Sequence, residues 1–457
     1  MQQIFQSILD MGAAVFLPIV VIILGLAVRM KLTKAFSAGL TLGVAFVGIN
    51  LLIGYMMDSV GGAAQLFVLN TGLELNALDL GWAPALGLAW QWEYAFLMFP
   101  VQIGINIVML AFGWTSTLNV DMWNVANKIA TGFLVTFVSG SLIIGLAVAS
   151  VQVVLELKNA DLTKNQLHKL TNIPGVSMPH PMFLSNIVFY PMTLFLDKVI
   201  KTKNKIDVNE LKRRIGIFGE NHVLGFIIGT SIGFVAEYGI AGSLMLGIQT
   251  GTALTLFPMV SKLFMTALAP ISDATNKFIK SRFPDRDIVI GLDWPILAGN
   301  NEIWVTIIAS MPIALGMAMI LPGNTVLPLG NLMTVCVAAA SFMVTRGDLI
   351  KMIIINYLWV PIILWSSSYF APMFTELAAQ TGGITNLPEG QMLAWYGMDI
   401  TELRWMITTA VDGNIAGIIL TVLFIPLTLF YFKGMKQREE DIENQQVEAG
   451  KARENIA

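Results

Sequence analysis

Cysteine and charge are both scarce in this chain. Its single cysteine, Cys336, lies in an uncharged run, which excludes an intramolecular disulfide, a Cys-x-x-Cys redox motif and a cysteine-rich metal site. Charged residues make up 12% of the 457 residues, and the formal net charge is −3. Soluble domains carry about 25% charged residues. The composition therefore excludes a basic nucleic-acid-binding surface and argues against a soluble domain.

The sequence signatures of common enzymes are missing as well. No Walker motif, HExxH, GxSxG or dinucleotide fingerprint occurs. No basic region or small-residue cleavage site accompanies the first apolar run, so we expect no cleaved signal peptide. We predict no catalytic residue, no metal site and no cofactor.

Long apolar runs dominate the chain instead. Hydrophobic residues make up 55% of it, and the mean hydropathy is +0.70. Runs of about 17–25 such residues are typical of membrane-spanning helices. The sequence predicts an all-α polytopic membrane protein with about eleven spans, near 13–28, 36–57, 94–113, 132–155, 182–197, 216–236, 239–260, 302–321, 326–345, 349–371 and 405–432.

Basic residues predict how these spans are oriented, because cytoplasmic loops carry an excess of Lys and Arg. Arg29 and two lysines follow the first span, which predicts an N-terminus outside and a C-terminal tail, 433–457, in the cytoplasm. The loop 157–172 fits badly, because its three lysines fall outside in this count. Either a short span nearby is miscounted or this loop is an exception. The segment 372–404, with four acidic residues against Arg404, is interpreted as an outer loop.

Two polar interruptions stand in matching places in the two halves of the chain. One reads Asp79-Leu80-Gly81-Trp82 and the other reads Gly291-Leu292-Asp293-Trp294. Matching interruptions of this kind indicate the substrate site of a transporter built from inverted repeats with re-entrant hairpins. Eleven spans divide as five, five and one. We therefore predict repeats at roughly 12–200 and 215–371 within a single transport domain, 1–432.

The side chains of these interruptions suit a neutral polyhydroxy ligand. Carboxylates and amides bind hydroxyl groups, and indole rings cover the C–H faces of a sugar. A carboxylate at membrane depth costs roughly 2.5–3.5 kcal/mol and is rarely idle. The alternative is helix capping by the two aspartates at the membrane interface, with the tryptophans in an aromatic belt. The candidate substrate-binding residues here are Asp79, Gln91, Glu93, Asp293, Asn300, Asn301 and Glu302.

Two further segments hold candidate ligand-binding residues. Three prolines and a glycine between Pro174 and Pro181 forbid a regular helix around His180. Irregular backbone at membrane depth is tolerated against protein or a wet cavity, so His180 is a candidate, with helix capping as the alternative. Glu220 and His222 open the span at 216–236 and are also candidates. Their alternative is a carboxylate favoured by the helix dipole.

At these residues the chain resembles the galactitol-type membrane subunit, enzyme IIC, of the bacterial sugar phosphotransferase system. The resemblance covers nearly the whole length. It is carried by Arg29-Met30-Lys31-Leu32-Thr33-Lys34, Asp79-Leu80-Gly81-Trp82, Thr117-Leu118-Asn119-Val120-Asp121-Met122-Trp123-Asn124, the segment from Pro174 to His180, Phe218-Gly219-Glu220, Arg282-Phe283-Pro284, Gly291-Leu292-Asp293 and Leu321-Pro322-Gly323-Asn324.

The resemblance implies a permease of the bacterial inner membrane that is not an enzyme on its own. It implies a homodimer with an interface scaffold and an elevator-like mobile core that binds a galactitol-like sugar or polyol from outside. A separate IIB protein, charged by a separate IIA, would then phosphorylate the sugar from a phosphocysteine. His180, Glu220 and Asp293 would contact the sugar or organise its site, and Asp79 and Gln91 would belong to the first re-entrant element.

Two other classes of function remain open from the residues themselves. An ion-coupled secondary carrier on a similar scaffold would use Asp79, Glu93, Glu220, Asp293 or Glu302 as a proton or sodium site. Neighbouring reading frames for small IIA and IIB proteins would argue against it. A membrane enzyme is the weaker option, because the sequence shows neither a nucleophile motif nor a metal cluster.

Overall fold

The protein is described by a computed structural model that covers residues 13–56, 59, 63, 75–79, 85, 88–89, 92–119, 122–200, 221–282, 288–328, 334–381 and 392–454. Within these ranges the chain forms fourteen α-helices. They are α1 (Ala13–Ala27), α2 (Leu32–Met56), α3 (Met98–Ala111), α4 (Met122–Ser139), α5 (Leu142–Asp161), α6 (Lys164–Thr171), α7 (Asn186–Val199), α8 (Asn221–Val235), α9 (Gly239–Arg282), α10 (Asn301–Ile320), α11 (Val335–Thr345), α12 (Leu349–Thr381), α13 (Thr401–Val411) and α14 (Ile415–Glu454).

Short strands interrupt the helices and form two three-stranded sheets. The strands are β1 (Ala77–Asp79), β2 (Thr117–Leu118), β3 (Val176–Ser177), β4 (Val289–Gly291), β5 (Val326–Leu327) and β6 (Met392–Ala394). The first sheet has the order β5-β1-β6 and the second the order β2-β4-β3, with every pair parallel. The central strand of each sheet comes from one half of the chain, and both neighbours come from the other half.

The strands form where proline and glycine interrupt the apolar runs. β3 follows Pro174 and Gly175 and precedes Pro179, which together exclude a regular helix. Backbone groups that leave a helix in apolar surroundings need other partners. Here the neighbouring strand supplies them; for example, Leu292 N–H donates to Ser177 O at 2.9 Å. The prediction of an all-α chain is confirmed in part: the chain is mostly helical, but its described residues also form two short sheets.

Several helices have the length and composition of membrane spans. Among the described residues, four helical segments are long and apolar enough to cross a membrane: Leu142–Asp161, Asn301–Ile320, Leu349–Gln380 and Ile415–Ile442. Their outward faces are apolar, as Ile143 on α5 and Ile415 and Leu429 on α14 are all exposed. Exposed apolar faces of this extent fit lipid and not water. The chain is therefore a polytopic membrane protein.

α8 and α9 form a tightly packed hairpin. Gly225, Gly229 and Gly233 recur every fourth residue along α8, and a Cβ on Gly229 would lie 2.4 Å from Thr250 Oγ1 of α9. Small residues at this spacing let membrane helices approach closely. α9 also packs along α2, and α2 packs along α1. We call α1, α2, α8 and α9 the four-helix layer.

Three of the predicted spans do not coincide with single helices of the structure. The span 132–155 crosses a reversal at Gly140, whose φ of +64° ends α4 before α5 begins. The span 405–432 is broken at Gly413, with φ of +83°, between α13 and α14. The span 326–345 begins as strand β5, and α11 starts at Val335. Glycine adopts positive φ without steric cost, so it marks two of these breaks, which hydropathy alone does not reveal.

The segment 157–172 lies beside the C-terminal helix. Asn165 N–H donates to Glu439 Oε1 at 2.8 Å, and the Tyr431 hydroxyl donates to Asn159 Oδ1 at 2.7 Å. The segment therefore shares a face with the tail, and its assignment to the opposite face is wrong. The reversal at Gly140 is the reason, because α4 and α5 are two packed helices and not one span. With this change the three lysines of the segment lie on the side that the sequence predicts to be cytoplasmic, as the positive-inside rule requires.

The interpretation of 372–404 as an outer loop is also wrong. α12 continues to Thr381, and residues 392–404 lie in the interior. Asp399 is 3% exposed and Arg404 is 1% exposed. The predicted span 239–260 is likewise too short, because α9 continues to Arg282. The charges of 392–404 are therefore part of the protein core and not of a solvated loop.

We predict that the segment 157–172 and the tail are accessible from the same side of the membrane. Lys169 and Lys436 are exposed, whereas Cys336 is buried. In a Cys336→Ser chain, Lys169→Cys and Lys436→Cys should react with a membrane-impermeant maleimide from the same face of oriented vesicles. Cys336→Ser alone is the unlabelled control. Reaction of the two cysteines from opposite faces would contradict the arrangement of α5, α6 and α14.

Candidate functional site

The carboxyl ends of the second sheet bring together polar residues from both halves of the chain. β3 leads to His180, β4 leads to Asp293 and β2 leads to Asn119. Parallel strands end at the same edge, which is where open sheets bind their ligands. All three residues are buried. Asn119 fixes the edge, because its N–H donates to Asn106 Oδ1 at 2.8 Å and its Oδ1 accepts from Asn124 Nδ2 at 3.3 Å.

His180 and Asp293 form a direct pair, with 3.1 Å between His180 Nε2 and Asp293 Oδ1. His180 Nδ1 accepts from Met182 N–H at 3.3 Å, so Nε2 carries the hydrogen that is donated to the carboxylate. Asp293 Oδ1 also accepts from Trp294 N–H at 2.7 Å. Each residue caps the short 3₁₀ helix that follows it, as the capping alternative predicted, and the two caps meet.

A second carboxylate faces the same histidine. Asp399 Oδ2 lies 4.0 Å from His180 Nε2. Asp399 follows β6, so it reaches the histidine from the first sheet, whereas Asp293 reaches it from the second. Both sheets thus contribute to one site. We call the following residues the buried polar cluster: Asn127, Lys128, Glu156, His180, Asp293, Asp399 and Arg404.

Arg404 connects this cluster to α4 by hydrogen bonds. Its Nη2 donates to Asn127 O at 2.7 Å and to Asn127 Oδ1 at 3.1 Å, and its Nε donates to Thr131 Oγ1 at 2.9 Å. Its Nη1 donates to the backbone oxygen of Asp399 at 2.7 Å. These four acceptors are all neutral oxygens. Burying a guanidinium costs several kcal/mol, which hydrogen bonds and neighbouring carboxylates must offset. The carboxylates of Asp399, Glu156 and Glu402 are near enough to offset part of this cost.

An ion pair inside the protein joins α4 to α5. Lys128 Nζ lies against Glu156 Oε2, and Gln152 Nε2 donates to Glu156 Oε1 at 2.7 Å. Both charged side chains are almost fully buried. A lone charge in this position would be strongly unfavourable, and pairing makes it tolerable. The charge of Lys128 is therefore already balanced by a carboxylate of the protein itself.

Two other predicted residues are buried or partly buried but bond elsewhere. Asp79 ends β1 in the first sheet, where its Oδ1 accepts from Tyr396 N–H at 3.0 Å. Asn300 precedes α10, and its Nδ2 donates to Leu297 O at 2.8 Å. Asp79 thus holds the segment that leads from β6 to Asp399, and Asn300 closes a local turn.

The remaining predicted residues lie at helix ends, on the surface or outside the described residues. Asn301 and Glu302 form the first turn of α10 and are partly buried. Glu93 is exposed before α3, and His222 is exposed in the first turn of α8, so the structure does not bring these two into the buried polar cluster. Two predicted residues fall outside the described part of the chain: Gln91 and Glu220.

Sequence analysis missed five members of the cluster: Asn127, Lys128, Glu156, Asp399 and Arg404. Lys128 and Glu156 stand just outside the two ends of the run 132–155, which was interpreted as one span. Only the reversal between α4 and α5 brings them together. The available signal was the Ser139-Gly140 dipeptide, which is typical of a turn.

Membrane-length apolar helices around a buried cluster of carboxylate, amide, imidazole and cationic side chains are typical of a membrane transport protein. Comparison with known proteins gives the family. The chain belongs to the sugar-specific permease components of the phosphotransferase system, galactitol type (EIIC-GAT), whose family model matches residues 7–389. It is thus the membrane permease component of that system, in the bacterial inner membrane, and not a catalytic subunit by itself.

Curated relatives agree with this family over most of the chain. The galactitol-specific EIIC component of the PTS from Escherichia coli (strain K12) is 31% identical over 92% of this chain and 93% of the relative. The same component from Escherichia coli O157:H7 gives the same values. A putative permease IIC component of strain K12 is 32% identical over 91% of this chain and 98% of the relative.

We predict that Arg404→Gln lowers the free energy of unfolding by about 3–5 kcal/mol, because it removes a buried cation from among buried carboxylates. The measurement is the apparent melting temperature of the detergent-purified protein. Lys436→Gln is the control, since that side chain is 72% exposed. Equal melting temperatures for the two variants would contradict the role assigned to Arg404.

Proposed function

We propose that this chain binds a neutral, galactitol-like sugar or polyol at the buried polar cluster and carries it across the membrane for phosphorylation by a separate IIB protein. The observation that supports this most directly is the His180–Asp293 pair with Asp399 on its other side. Two carboxylates and an imidazole can bind several hydroxyl groups at once. Two relatives that are galactitol-specific EIIC components support the substrate class.

The charges of the cluster favour a neutral substrate over an anion. An anionic substrate usually requires an available arginine fork. Arg404 donates four hydrogen bonds to neutral oxygens of the protein, and Lys128 pairs with Glu156. Asp293 and Asp399 would in addition repel an anion at this site. A polyol, which needs acceptors and donors but no countercharge, fits these groups better.

An inverted repeat is supported by the pairing of the strands. Ala77 of β1 pairs with Val326, and Val289 of β4 pairs with Thr117, so Ala77 and Val289 hold equivalent places in their sheets. When the two segments are aligned in sequence from Ala77 and Val289 onward, Asp79-Leu80-Gly81-Trp82 corresponds to Gly291-Leu292-Asp293-Trp294. β6 corresponds in the same way to β3. The second repeat therefore extends past the boundary at 371 that the spans suggested, to include β6.

We also propose an elevator-type motion and a homodimer. The cluster is built from both halves of the chain, and the halves are joined by both sheets and by Arg404. Such a body is suited to move as a unit and not to open between the halves. The four-helix layer, packed through its glycines, would serve as the scaffold and dimer interface. Lipid would cover the exposed apolar faces of α5 and α14.

The phosphate donor must be another protein. Phosphorylation in this system uses a phosphocysteine of IIB, which the resemblance implies is itself charged by IIA. Cys336 is the single cysteine of the chain, and it is buried in α11 with its Sγ 3.5 Å from Gly397 O. A buried structural thiol of this kind is chemically inert. Separate IIB and IIA proteins are therefore the expected partners, on the cytoplasmic face to which the lysines of 157–172 and the tail are assigned.

A second candidate function is an ion-coupled secondary carrier. The observation in its favour is the number of buried acidic groups near one another: Glu156, Asp293 and Asp399. Buried carboxylates in transporters frequently take part in proton or sodium coupling. The membership of the phosphotransferase family argues for group translocation instead.

Uptake into vesicles separates the two functions. Labelled galactitol, beside a panel of hexitols and pentitols, is offered to vesicles that contain the protein, with and without phosphorylated IIB inside. We expect phosphorylated product to accumulate only when IIB is present. Accumulation of unmodified polyol that follows an ion gradient and ignores IIB would establish the secondary carrier instead.

We predict that Asp293→Asn weakens galactitol binding by about tenfold or more, because hydrogen bonds to a charged acceptor contribute about 1.5–3 kcal/mol. The dissociation constant is measured by equilibrium dialysis on purified protein. Expression and oligomeric state should not change. Asp412→Asn, at an exposed carboxylate after α13, is the matched control. Loss of folded protein in Asp293→Asn would make this aspartate structural only.

A further inference from the structure

We propose that the side chains of Asn127 and Asp399 form a subsite that binds one hydroxyl group of the substrate, with Arg404 as the residue that positions both. This inference rests on the proposed function, because it needs a polyhydroxy substrate in the buried polar cluster. It assigns binding roles to two residues from opposite halves of the chain. Neither was a candidate on sequence grounds.

Arg404 holds both residues by atoms that leave their ligand-binding atoms free. Its Nη1 donates a hydrogen bond to the backbone oxygen of Asp399 and not to the carboxylate. Its Nη2 donates to Asn127 Oδ1, which orients the amide so that Nδ2 is directed away from the guanidinium. The amide of Asn127 lies close enough to the carboxyl of Asp399 for the two groups to interact. One buried cation thus aligns a donor and an acceptor across the boundary between the halves of the chain.

The two facing atoms are incompletely satisfied. Among the described residues, neither Asn127 Nδ2 nor Asp399 Oδ2 makes a hydrogen bond of good geometry, although both atoms are buried and the two side chains lie close to each other. Buried polar atoms are nearly always bonded, so such a pair needs an explanation. A hydroxyl group both accepts and donates. It can accept from Asn127 Nδ2 and donate to Asp399 Oδ2, which satisfies both atoms at once.

The backbone next to Asp399 is strained. Ile400 has φ of +45° and ψ of +36°, in the left-handed region. A β-branched side chain is rare in this region, and such strain persists only where surrounding contacts over-determine it. The bond from Arg404 to Asp399 O is one of those contacts. Strain of this kind is typical of binding and catalytic sites.

The subsite lies next to the residues already assigned to the substrate. Asp399 Oδ2 is 4.0 Å from His180 Nε2, which in turn contacts Asp293. A hydroxyl held between Asn127 and Asp399 would therefore belong to the same molecule as hydroxyls held by His180 and Asp293.

Galactitol and its monodeoxy derivatives provide the test. Each derivative lacks one hydroxyl, so its affinity reports what that hydroxyl contributes. Dissociation constants are measured by competition with labelled galactitol in equilibrium dialysis, for the native protein, Asp399→Asn and Asp348→Asn. Asp348→Asn is the control for neutralising a buried carboxylate, because Asp348 pairs with Lys351 at 2.9 Å at the start of α12.

We expect one deoxy derivative to bind the native protein about tenfold or more weakly than galactitol. In Asp399→Asn that difference should fall below about threefold, while galactitol itself binds correspondingly worse. Asp348→Asn should keep the native pattern. Asn127→Asp, which retains the oxygen that Arg404 uses but removes the donor, should erase the same difference for the same derivative.

Other outcomes would separate the possible errors. If Asp399→Asn weakens galactitol and every derivative by the same factor, or weakens none of them, the subsite is wrong and the proposed function stands. If the carboxylate binds water only, no deoxy derivative will differ between Asp399→Asn and the native protein. If the native protein binds no hexitol of the panel, the proposed function fails, and the subsite fails with it.

Discussion

The fold depends on the constraint that no backbone N–H or C=O group can be left without a partner in apolar surroundings. Each such group left alone costs about 1–3 kcal/mol or more. Helices satisfy the constraint within a segment, but Pro174 and Pro179 in the first half and Gly291 in the second half interrupt them. The interrupted segments instead pair with each other as short parallel strands. The central strand of each sheet pairs with two strands from the opposite half of the chain. Backbone hydrogen bonds therefore join the two halves.

This pairing also places the polar side chains. Parallel strands end together, so the residues that follow β3 and β4, His180 and Asp293, meet at one edge. β6 delivers Asp399 to the same histidine from the other sheet. The strands are only two or three residues long, so a shift of one residue would turn every following side chain to the other face. Asp79 prevents such a shift, because its carboxylate holds Tyr396 N–H just beyond β6.

The sequence predicts the membrane class and the two polar interruptions well, because hydropathy and Pro/Gly content are local properties. His180 and Asp293 were found in this way, and the structure brings them together. Arg404, Asp399 and the Lys128–Glu156 pair could not be found locally. Their partners lie up to 277 residues away in sequence, as Arg404 and Asn127 do, and pairing across such a distance leaves no periodic pattern. Gly140 was a local signal, but a single glycine inside an apolar run is common in membrane helices and was read as part of a span.

The way in which Arg404 is used bears on how the molecule can move. A permease that opened between its two halves would have to separate both sheets and pull this guanidinium away from Asn127 and Thr131 on α4. Each buried group left without a partner would cost about 1–3 kcal/mol, and the charge would cost more. Breaking them together exceeds the few kcal/mol that normally separate two populated states. Sliding the joined halves past the four-helix layer breaks none of these bonds. These costs support the proposed motion of the joined halves as one unit over opening between them.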